Sequence, residues 1–325
     1  MATYQRQRYL LMTTDPVHIG TGGYRLGRVD NSIVREPGTK VPKIPGTSLH
    51  GAARSYAAQL YENPDAAGQD QKNVSEPDKN PICYTFGYLK QESDQPDKAV
   101  AFSGVINIFD AHVLLFPVHS MVGPVWATTI DRLMDAGFGV SDPPSDWEKG
   151  AALLTWDQTD VLNLGWLMVN VGGKATVTVP NKWKDEARWK AVDERIVLVQ
   201  DALFSQVVNS NLEVRTSVAI DPERGAAEDK ALFTYEALPR TTFLTAEIVL
   251  DDYRDGANGR PFPKNTTAKN NPLPGGSWSG PLDVAKAGLR MIEWLGVGGM
   301  GTRGFGRMAT IGDPLIQQFG QESWQ

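Results

Sequence analysis

The sequence predicts an α+β fold: a mostly antiparallel sheet with helices on one face, decorated by long insertions. Apolar runs of strand composition occur near both ends of the chain, and 243–250 is the most regular of them. The segments 48–61 and 282–295 place apolar residues at helical spacing. Polar stretches at 62–80 and 251–280 are typical of insertions. This order of elements is typical of α+β proteins.

The chain can be divided into elements in order. Strands are predicted at 4–14, 104–118, 175–179, 217–221, 231–238 and 243–250. Helices are predicted at 48–61, 125–136, 183–206 and 282–295. Thr47 or Ser48 is expected to cap the first helix, and 81–87 is expected to re-enter the core. We interpret 1–325 as one domain with insertions near 62–100 and 251–280.

Composition places the chain among soluble intracellular proteins. Its 325 residues are 41% hydrophobic and 22% charged, which is ordinary for a globular protein. The single cysteine, Cys83, excludes an internal disulfide and favours a reducing cytosol. Cys83 itself is expected to be a small, buried hydrophobic residue. No apolar run reaches the ~18 residues of a membrane helix. We therefore expect a cytoplasmic protein with no membrane partner.

The charge is unevenly distributed. The net charge is −6, but residues 1–60 carry eight Lys or Arg against three acids, while 61–100 carry eight acids against four lysines. The local field decides where a polyanion binds. The pattern favours a protein that holds RNA or DNA along one face only.

The loop between the first strand and the first helix contains most of the candidate site. It holds one carboxylate flanked by small polar residues (Asp30), one histidine (His18) and four cations: Arg25, Arg28, Arg35 and Lys43. It leads into a helix that starts after Pro45-Gly46, with Arg54 further along it. Free N–H groups at a helix start bind anions. Gly20-Thr21-Gly22-Gly23 lacks the Gly-Lys-Ser/Thr ending of a P-loop, and the next helix comes too late for a dinucleotide motif.

Physical chemistry leaves two interpretations open for the main candidates. Asp30 is either a turn residue or an ionised catalytic carboxylate that binds a divalent metal or orients a ribose 2′-hydroxyl. His18 steers a phosphate or caps the loop. His112, among apolar neighbours, is expected to lie in the core. The histidines lie too far apart, and one cysteine is too few, for a zinc site.

A second glycine-rich basic segment lies near the C-terminus. Six glycines fall between 296 and 306, with Arg303 and Arg307 beside them. Such a backbone approaches phosphates closely, or it forms a helix C-cap followed by a kinked strand. Two such segments in one chain favour a shared polyanion groove.

Several motifs together resemble the RAMP superfamily of CRISPR effector subunits. They are His18-Ile19-Gly20-Thr21-Gly22, the segments 27–36, 42–55 and 231–240, and the terminal glycine-rich loop. Leu114-Leu115-Phe116-Pro117-Val118-His119-Ser120 is similar to the repeated backbone subunit of the type III-B (Cmr) complex. The sibling subunit of the Csm complex shares the glycine signatures. Relatives often have lysine at position 50 and arginine at 119, where this chain has His50 and His119.

The resemblance implies a ferredoxin-like (RNA-recognition-motif-like) palm with inserted fingers and a β-hairpin thumb, here near 218–235. It implies a helical filament of copies along a crRNA, in a complex with other type III CRISPR subunits. The filament would cleave target RNA at regular intervals with a loop aspartate, which maps onto Asp30, and a divalent metal, Mg²⁺ or Mn²⁺. Attack by the 2′-oxygen would leave a 2′,3′-cyclic phosphate and a 5′-hydroxyl.

The leading hypothesis is therefore a metal-dependent, RNA-guided endoribonuclease subunit. Asp30 would hold the metal or the 2′-hydroxyl, and His18 and Arg35 would orient the scissile phosphate. The residues expected to bind RNA are Arg28, Lys43, Ser48, His50, Arg54, Gly298, Gly299, Arg303 and Arg307. The alternatives are a non-catalytic RNA-binding backbone subunit of a type III complex, Csm-like or of another subtype, and a small-molecule phosphate-binding enzyme.

Overall fold

A mixed sheet of eleven strands organises the part of the chain that the computed structural model describes, which is residues 3–22, 29–68, 73–92, 95–141, 147–148, 150–254, 261–263, 266–267, 277–320 and 324. Its strand order is β10-β11-β9-β13-β7-β6-β16-β1-β19, with β2 beside β6 and β5 beside β16. The strands are β1 (Thr3–Thr13), β2 (Lys43–Ile44), β3 (Gly87–Glu92), β4 (Gln95–Ser103), β5 (Ile106–Ile108), β6 (Ala111–Ser120), β7 (Gly123–Thr128), β8 (Gly139–Ser141), β9 (Ala152–Leu154), β10 (Val161–Leu164), β11 (Leu167–Lys174), β12 (Thr176–Thr178), β13 (Ile196–Leu198), β14 (Glu213–Asp221), β15 (Ala226–Ala237), β16 (Phe243–Asp252), β17 (Thr266–Thr267), β18 (Ser277–Trp278) and β19 (Met308–Gln318). The helices are α1 (Gly46–Leu60), α2 (Pro81–Phe86), α3 (Ile130–Asp135), α4 (Ala187–Lys190), α5 (Asp201–Ser210) and α6 (Pro281–Leu295).

Strand β1 lies inside the sheet and confirms the predicted first strand. It pairs antiparallel with β16, from Thr3 opposite Asp252 to Met12 opposite Phe243, and with β19 on its other side. Successive side chains of a strand point to opposite faces. Because Tyr9 and Leu11 belong to one buried cluster and Leu10 and Met12 to another, both faces of the sheet need cover.

Helices cover both faces, so the expectation of helices on one face is wrong. The first core packs under α1, α2, α5 and α6. The second core packs under the short helices α3 and α4, with Leu133 and Trp189 at its centre. The physical reason lies in strands such as β6, whose Val113 and Phe116 join the first core and whose Leu114 joins the second. A strand apolar on both faces is buried on both.

Two predicted helices are replaced in part by strands. Residues 123–128 form β7 between β6 and β13, and only Ile130–Asp135 is helical, with the Thr129 side chain capping it. Of the predicted helix at 183–206, only α4 and the start of α5 are α-helical, Asp193–Arg195 forms a 3-10 helix, and β13 pairs with β7 and β9. Sheet pairing between distant segments overrides local helical spacing.

The long helices α1 and α6 confirm the other two helix predictions and cross at a glycine. A β-carbon at Gly288 of α6 would lie 2.1 Å from the carbonyl oxygen of Ala53 in α1. Because the chain has glycine at this position, the two helix backbones can touch. Cys83, in α2, is buried as predicted.

Strands β14 and β15 form an antiparallel hairpin from Glu213 to Ala237. The hairpin contains the predicted thumb segment 218–235. Its role as a thumb, and the description of the sheet as a ferredoxin-like palm, stay predictions. Most of the predicted insertion at 251–280 lies outside the described residues. Within the described part, no helix is both long and apolar enough to cross a membrane.

Candidate functional site

Backbone hydrogen bonds attach the loop between β1 and β2 to strand β15. Val17 bridges Leu238, Gly20 bridges Ile33, and Asn31 bridges Tyr235. The N–H of Asn31 donates to the Thr234 carbonyl at 3.0 Å. The loop is thereby fixed at Val17 and at Asn31 to strand β15 and the residue that follows it. Arg25 and Arg28, candidates from the sequence, lie outside the described residues.

Asp30 is held by a residue 204 positions away. Its Oδ2 accepts hydrogen bonds from the Thr234 backbone N–H at 2.7 Å and from the Thr234 hydroxyl at 2.9 Å. The Thr234 Oγ1 in turn accepts from the Asp30 N–H at 3.1 Å. These donors, first the backbone N–H and then the hydroxyl, lower the pKa of the Asp30 carboxyl. Because its pKa is lowered and its side chain is partly exposed, Asp30 is ionised at neutral pH.

His18 is buried behind the loop, with 6% of its surface exposed. Its Nδ1 lies 2.6 Å from the carbonyl oxygen of Glu236, which only accepts, so Nδ1 carries the proton. Its ring packs edge-on against Tyr235. The structure places His18 as a support of the loop, and its predicted contact with a scissile phosphate stays a prediction.

Arg35 neutralises a buried carboxylate. Its Nη2 lies 2.7 Å from Glu236 Oε2, its Nε donates to Asn209 Oδ1 at 2.9 Å, and its Nη1 donates to the Ile33 carbonyl at 3.0 Å. Glu236 is only 8% exposed, and an unpaired charge there would be costly. All three guanidinium nitrogens thus hold the fold, and a phosphate contact by Arg35 stays a prediction.

The start of helix α1 is capped by an acid from another element. The predicted cap by Thr47 or Ser48 is wrong, because Pro45 is the N-cap residue and no side chain there caps the helix. Instead Asp110 Oδ1 accepts from the Gly46 N–H at 2.7 Å. The chain's own carboxylate thus lies where the sequence suggested a bound anion.

Lys43 is part of the same network. Its Nζ lies 2.6 Å from Asp110 Oδ2 and 3.1 Å from Glu36 Oε1, and these partners raise its pKa. His112 lies 3.5 Å from Glu36 with 54% of its side chain exposed, so the expectation of a core histidine is wrong. Its strand turns this side chain to solvent between buried neighbours. RNA binding by Lys43 and Ser48 stays a prediction.

Arg54 and His50 lie further along α1. Arg54 donates from Nε and Nη2 to the Ala66 carbonyl, at 2.9 and 2.8 Å, and from Nη2 to the Gly87 carbonyl at 2.8 Å. His50 packs edge-on against Phe86, and burial, then Arg54, lowers its pKa. His50 is therefore neutral at pH 7. The RNA contacts predicted for both residues stay predictions.

The terminal glycine-rich loop, residues 296–307, packs on the part of the β1–β2 loop that contains His18. Gly298 has a φ of +86°, and a β-carbon there would lie 2.5 Å from the His18 carbonyl oxygen. The Gly299 N–H donates to that same carbonyl at 2.9 Å. These two glycines therefore serve a close approach of the protein to itself, and their predicted RNA contacts stay predictions.

Aromatic residues join this loop to the hairpin. Tyr235 packs against Phe305 at a ring distance of 5.3 Å, and the exposed Arg303 lies over Phe233 at 5.7 Å. Arg307 forms an ion pair with Asp15. The structure thus brings Asp30, His18, Arg35 and the terminal loop together around one end of the hairpin.

Sequence reasoning missed the residues that hold this site together. Thr234 gave no signal, because a threonine in a strand is ordinary. Glu236 gave a weak one, as an acid within a run that otherwise reads as a buried strand. Asp110 could not be linked to α1 without the sheet.

Comparison with known proteins assigns the chain to a protein superfamily. A sequence model of the RAMP superfamily matches residues 10–309, and the chain belongs to this superfamily. The resemblance predicted from its motifs is thereby confirmed.

A particular relative is the CRISPR system Cmr endoribonuclease Cmr4 of Pyrococcus furiosus, 27% identical over 256 residues that cover 74% of this chain and 80% of the relative. The fold is similar to a chain of the type III-B Cmr-beta complex bound to cognate target RNA, with a TM-score of 0.59 and 14% identity over 94% of this chain and 96% of the other. A crystal structure of Cmr4 has a TM-score of 0.52 at 20% identity, over 94% and 98% of the two chains.

Proposed function

We propose that this chain is a backbone subunit of a type III-B CRISPR (Cmr) complex, that it binds crRNA and target RNA with other subunits and copies of itself, and that it cleaves the target RNA. Superfamily membership and the relationship to an endoribonuclease of the Cmr system support the first part. The observation that carries the proposed cleavage is Asp30, an ionised and partly exposed carboxylate that Thr234 holds in one orientation.

In the proposed reaction, Asp30 orients the 2′-hydroxyl of the target and takes up its proton as the 2′-oxygen attacks the adjacent phosphorus. The bond from phosphorus to the 5′-oxygen breaks, and that oxygen gains a proton from water. The products are a 2′,3′-cyclic phosphate and a 5′-hydroxyl. In a regular A-form helix the 2′-oxygen, the phosphorus and the 5′-oxygen are not in line. Distortion of the target beside the β14–β15 hairpin is therefore part of the proposal.

A divalent metal, Mg²⁺ or Mn²⁺, belongs to the same proposal. Within the described residues, no group of three or more His, Cys, Asp or Glu converges as a metal cluster. Mg²⁺ is commonly held by one or two carboxylates with phosphate oxygens and water. Asp30 alone fits an ion shared with RNA, and such an ion would neutralise charge on the phosphate.

A non-catalytic backbone subunit is the second candidate. The observation that favours it is that Arg35 and Arg54 direct their donors to the protein itself. Such a subunit would bind RNA and leave it uncut.

The RNA-binding part is tested by co-expressing the chain with its partner subunits and a CRISPR array. We expect co-purified RNA of defined length whose sequence matches the array, because a basic face on an acidic protein binds polyanions locally. Sequencing of the extracted RNA is the measurement, and the same expression without the array is the control. Purification free of RNA, or with RNA of random sequence, would contradict this part.

The role of Thr234 is tested by Thr234→Val, which keeps the backbone N–H bond to Asp30 and removes the hydroxyl. We expect target cleavage to fall roughly tenfold, since a bond to a charged group is lost. We also expect the acidic limb of the pH–rate profile to move to higher pH. The hydroxyl lowers the pKa of Asp30, and cleavage is lost as the pH falls through that pKa.

Thr234→Ser is the matched control, because it retains the hydroxyl and should restore both the rate and the profile. A Val variant with the same pH profile as the original protein would show that Thr234 does not position Asp30.

A further inference from the structure

A cleft away from Asp30 is lined by three arginines: Arg188, Arg240 and Arg307. We refer to it as the three-arginine cleft. It has a volume of about 510 Å³ and lies where β1 ends and where β16 and β19 begin. Its remaining lining residues are Met12, Thr13, Thr14, Asp15, Thr241 and Glu293.

Each arginine is anchored through one part of its guanidinium group. Arg188 Nη2 lies 2.8 Å from Glu293 Oε1, Arg240 Nε donates to the Thr14 carbonyl at 2.8 Å, and Arg307 Nε pairs with Asp15. Within the described part of the chain, no hydrogen bond occupies the remaining nitrogens. The side chains of Arg188 and Arg307 are 43% and 52% exposed. The guanidinium groups are thus oriented and still carry donors for a ligand.

One lining residue of the cleft carries a polar atom that the fold leaves unsatisfied. The hydroxyl oxygen of Thr14 is buried and has no hydrogen-bond partner among the described residues. A buried hydroxyl without a partner is unfavourable, so this wall of the cleft has an unsatisfied polar group just beneath its surface.

Charge and chemistry favour a phosphate group as that ligand. Three guanidinium groups face two carboxylates, and both carboxylates are already used to orient arginines. The segment 182–190, which contains Arg188, has four cations and two acids. The guanidinium fork matches the geometry of phosphate oxygens.

The position of the cleft relates it to Asp30. Residues 234 to 240 connect the Thr234 partner of Asp30 to Arg240. Six residues of extended chain span at most about 20 Å. One polynucleotide strand is long enough to reach both places.

We propose that the three-arginine cleft binds a backbone phosphate of an RNA strand whose other part passes Asp30. This inference rests on the proposed RNA-binding function, and it adds a binding point formed by Arg188 and Arg240, two residues that the sequence did not assign to RNA. The ligand is the phosphodiester itself, so recognition is independent of base sequence.

The test uses the double variant Arg188→Gln/Arg240→Gln in the full chain and single-stranded RNA of defined length. Affinity is measured across a series of salt concentrations. We expect binding to weaken by roughly tenfold per arginine at moderate salt. We also expect the slope of log K against log salt to become shallower by about 0.7 for each phosphate that the variant no longer neutralises.

Two controls accompany this variant. Arg188→Lys/Arg240→Lys keeps both charges and should keep the slope, which separates loss of charge from loss of folding. Arg195→Gln removes an exposed arginine outside the cleft and should leave the affinity unchanged.

Other results would overturn the inference. One is an unchanged affinity and slope in the double Gln variant. Another is failed assembly with partner subunits at an unchanged RNA slope, because that assigns the cleft to a protein. If the double Gln variant binds a mononucleotide more weakly but binds RNA as before, the cleft is assigned to a small phosphate compound. If the original chain binds no RNA, the proposed function itself has failed.

Discussion

Replacing Asp30 with asparagine is expected to abolish cleavage of target RNA and to leave RNA binding intact. The asparagine side chain retains an oxygen that accepts from Thr234, so the loop keeps its attachment to strand β15. The side chain loses its negative charge and with it the capacity to take up a proton or hold a metal. Positioned proton transfer contributes about 10²–10⁴-fold to a rate. We therefore expect at least roughly a hundredfold loss.

The measurement is a single-turnover cleavage assay of labelled target RNA in the assembled complex, beside a binding assay with the same RNA. Asp65→Asn, an exposed aspartate outside the loop, is the matched control and should cleave normally. Undiminished cutting by the Asp30→Asn variant would remove Asp30 from the mechanism. A complex that never cuts, even with Asp30 present, would favour the non-catalytic backbone subunit.

Gly288→Ala is expected to have the largest effect on stability. Its new β-carbon would lie 2.1 Å from the Ala53 carbonyl oxygen, within the crossing of helices α1 and α6. The clash is with backbone, so the helices must separate, and overpacking of a core costs about 1–3 kcal/mol, occasionally more. We expect the upper end of this range, measured as a lower midpoint in denaturant unfolding.

Gly51→Ala is the matched control in the partner helix. Gly51 is exposed, and a β-carbon there meets nothing within 4 Å. Alanine favours a helix interior over glycine by about 0.5–1 kcal/mol, so this variant should be more stable than the original chain. The two glycine substitutions therefore have opposite signs. A common sign for both would contradict the tight crossing of α1 and α6.

Local patterns predicted elements that depend on a few neighbouring residues. The apolar spacing at 282–295 identified helix α6, and the apolar composition at 243–250 identified strand β16. Local patterns failed at 125–128, the first part of the predicted helix 125–136, because these residues belong to strand β7. The competing factor there is pairing with β6 and β13, which the local spacing does not contain.

In the candidate site, too, the sequence identified single residues and the fold decided their partners. The sequence identified Asp30 as a carboxylate flanked by small polar residues in a basic loop, but its partner Thr234 lies 204 residues away. It identified Arg35 as a cation, whereas the fold commits that cation to Glu236. It suggested an anion site before helix α1, and the fold provides the anion as Asp110.

The sequence by itself determined the superfamily, the core-forming segments and the loop that contains Asp30, because motifs and apolar spacing are properties of neighbouring residues. Only the tertiary structure decided which cations remain available for a ligand. The reason is electrostatic: a buried or half-buried charge takes the nearest opposite charge or carbonyl. Arg35, Lys43 and Arg54 have such partners, while Arg188 and Arg240 keep donors for a ligand in the three-arginine cleft.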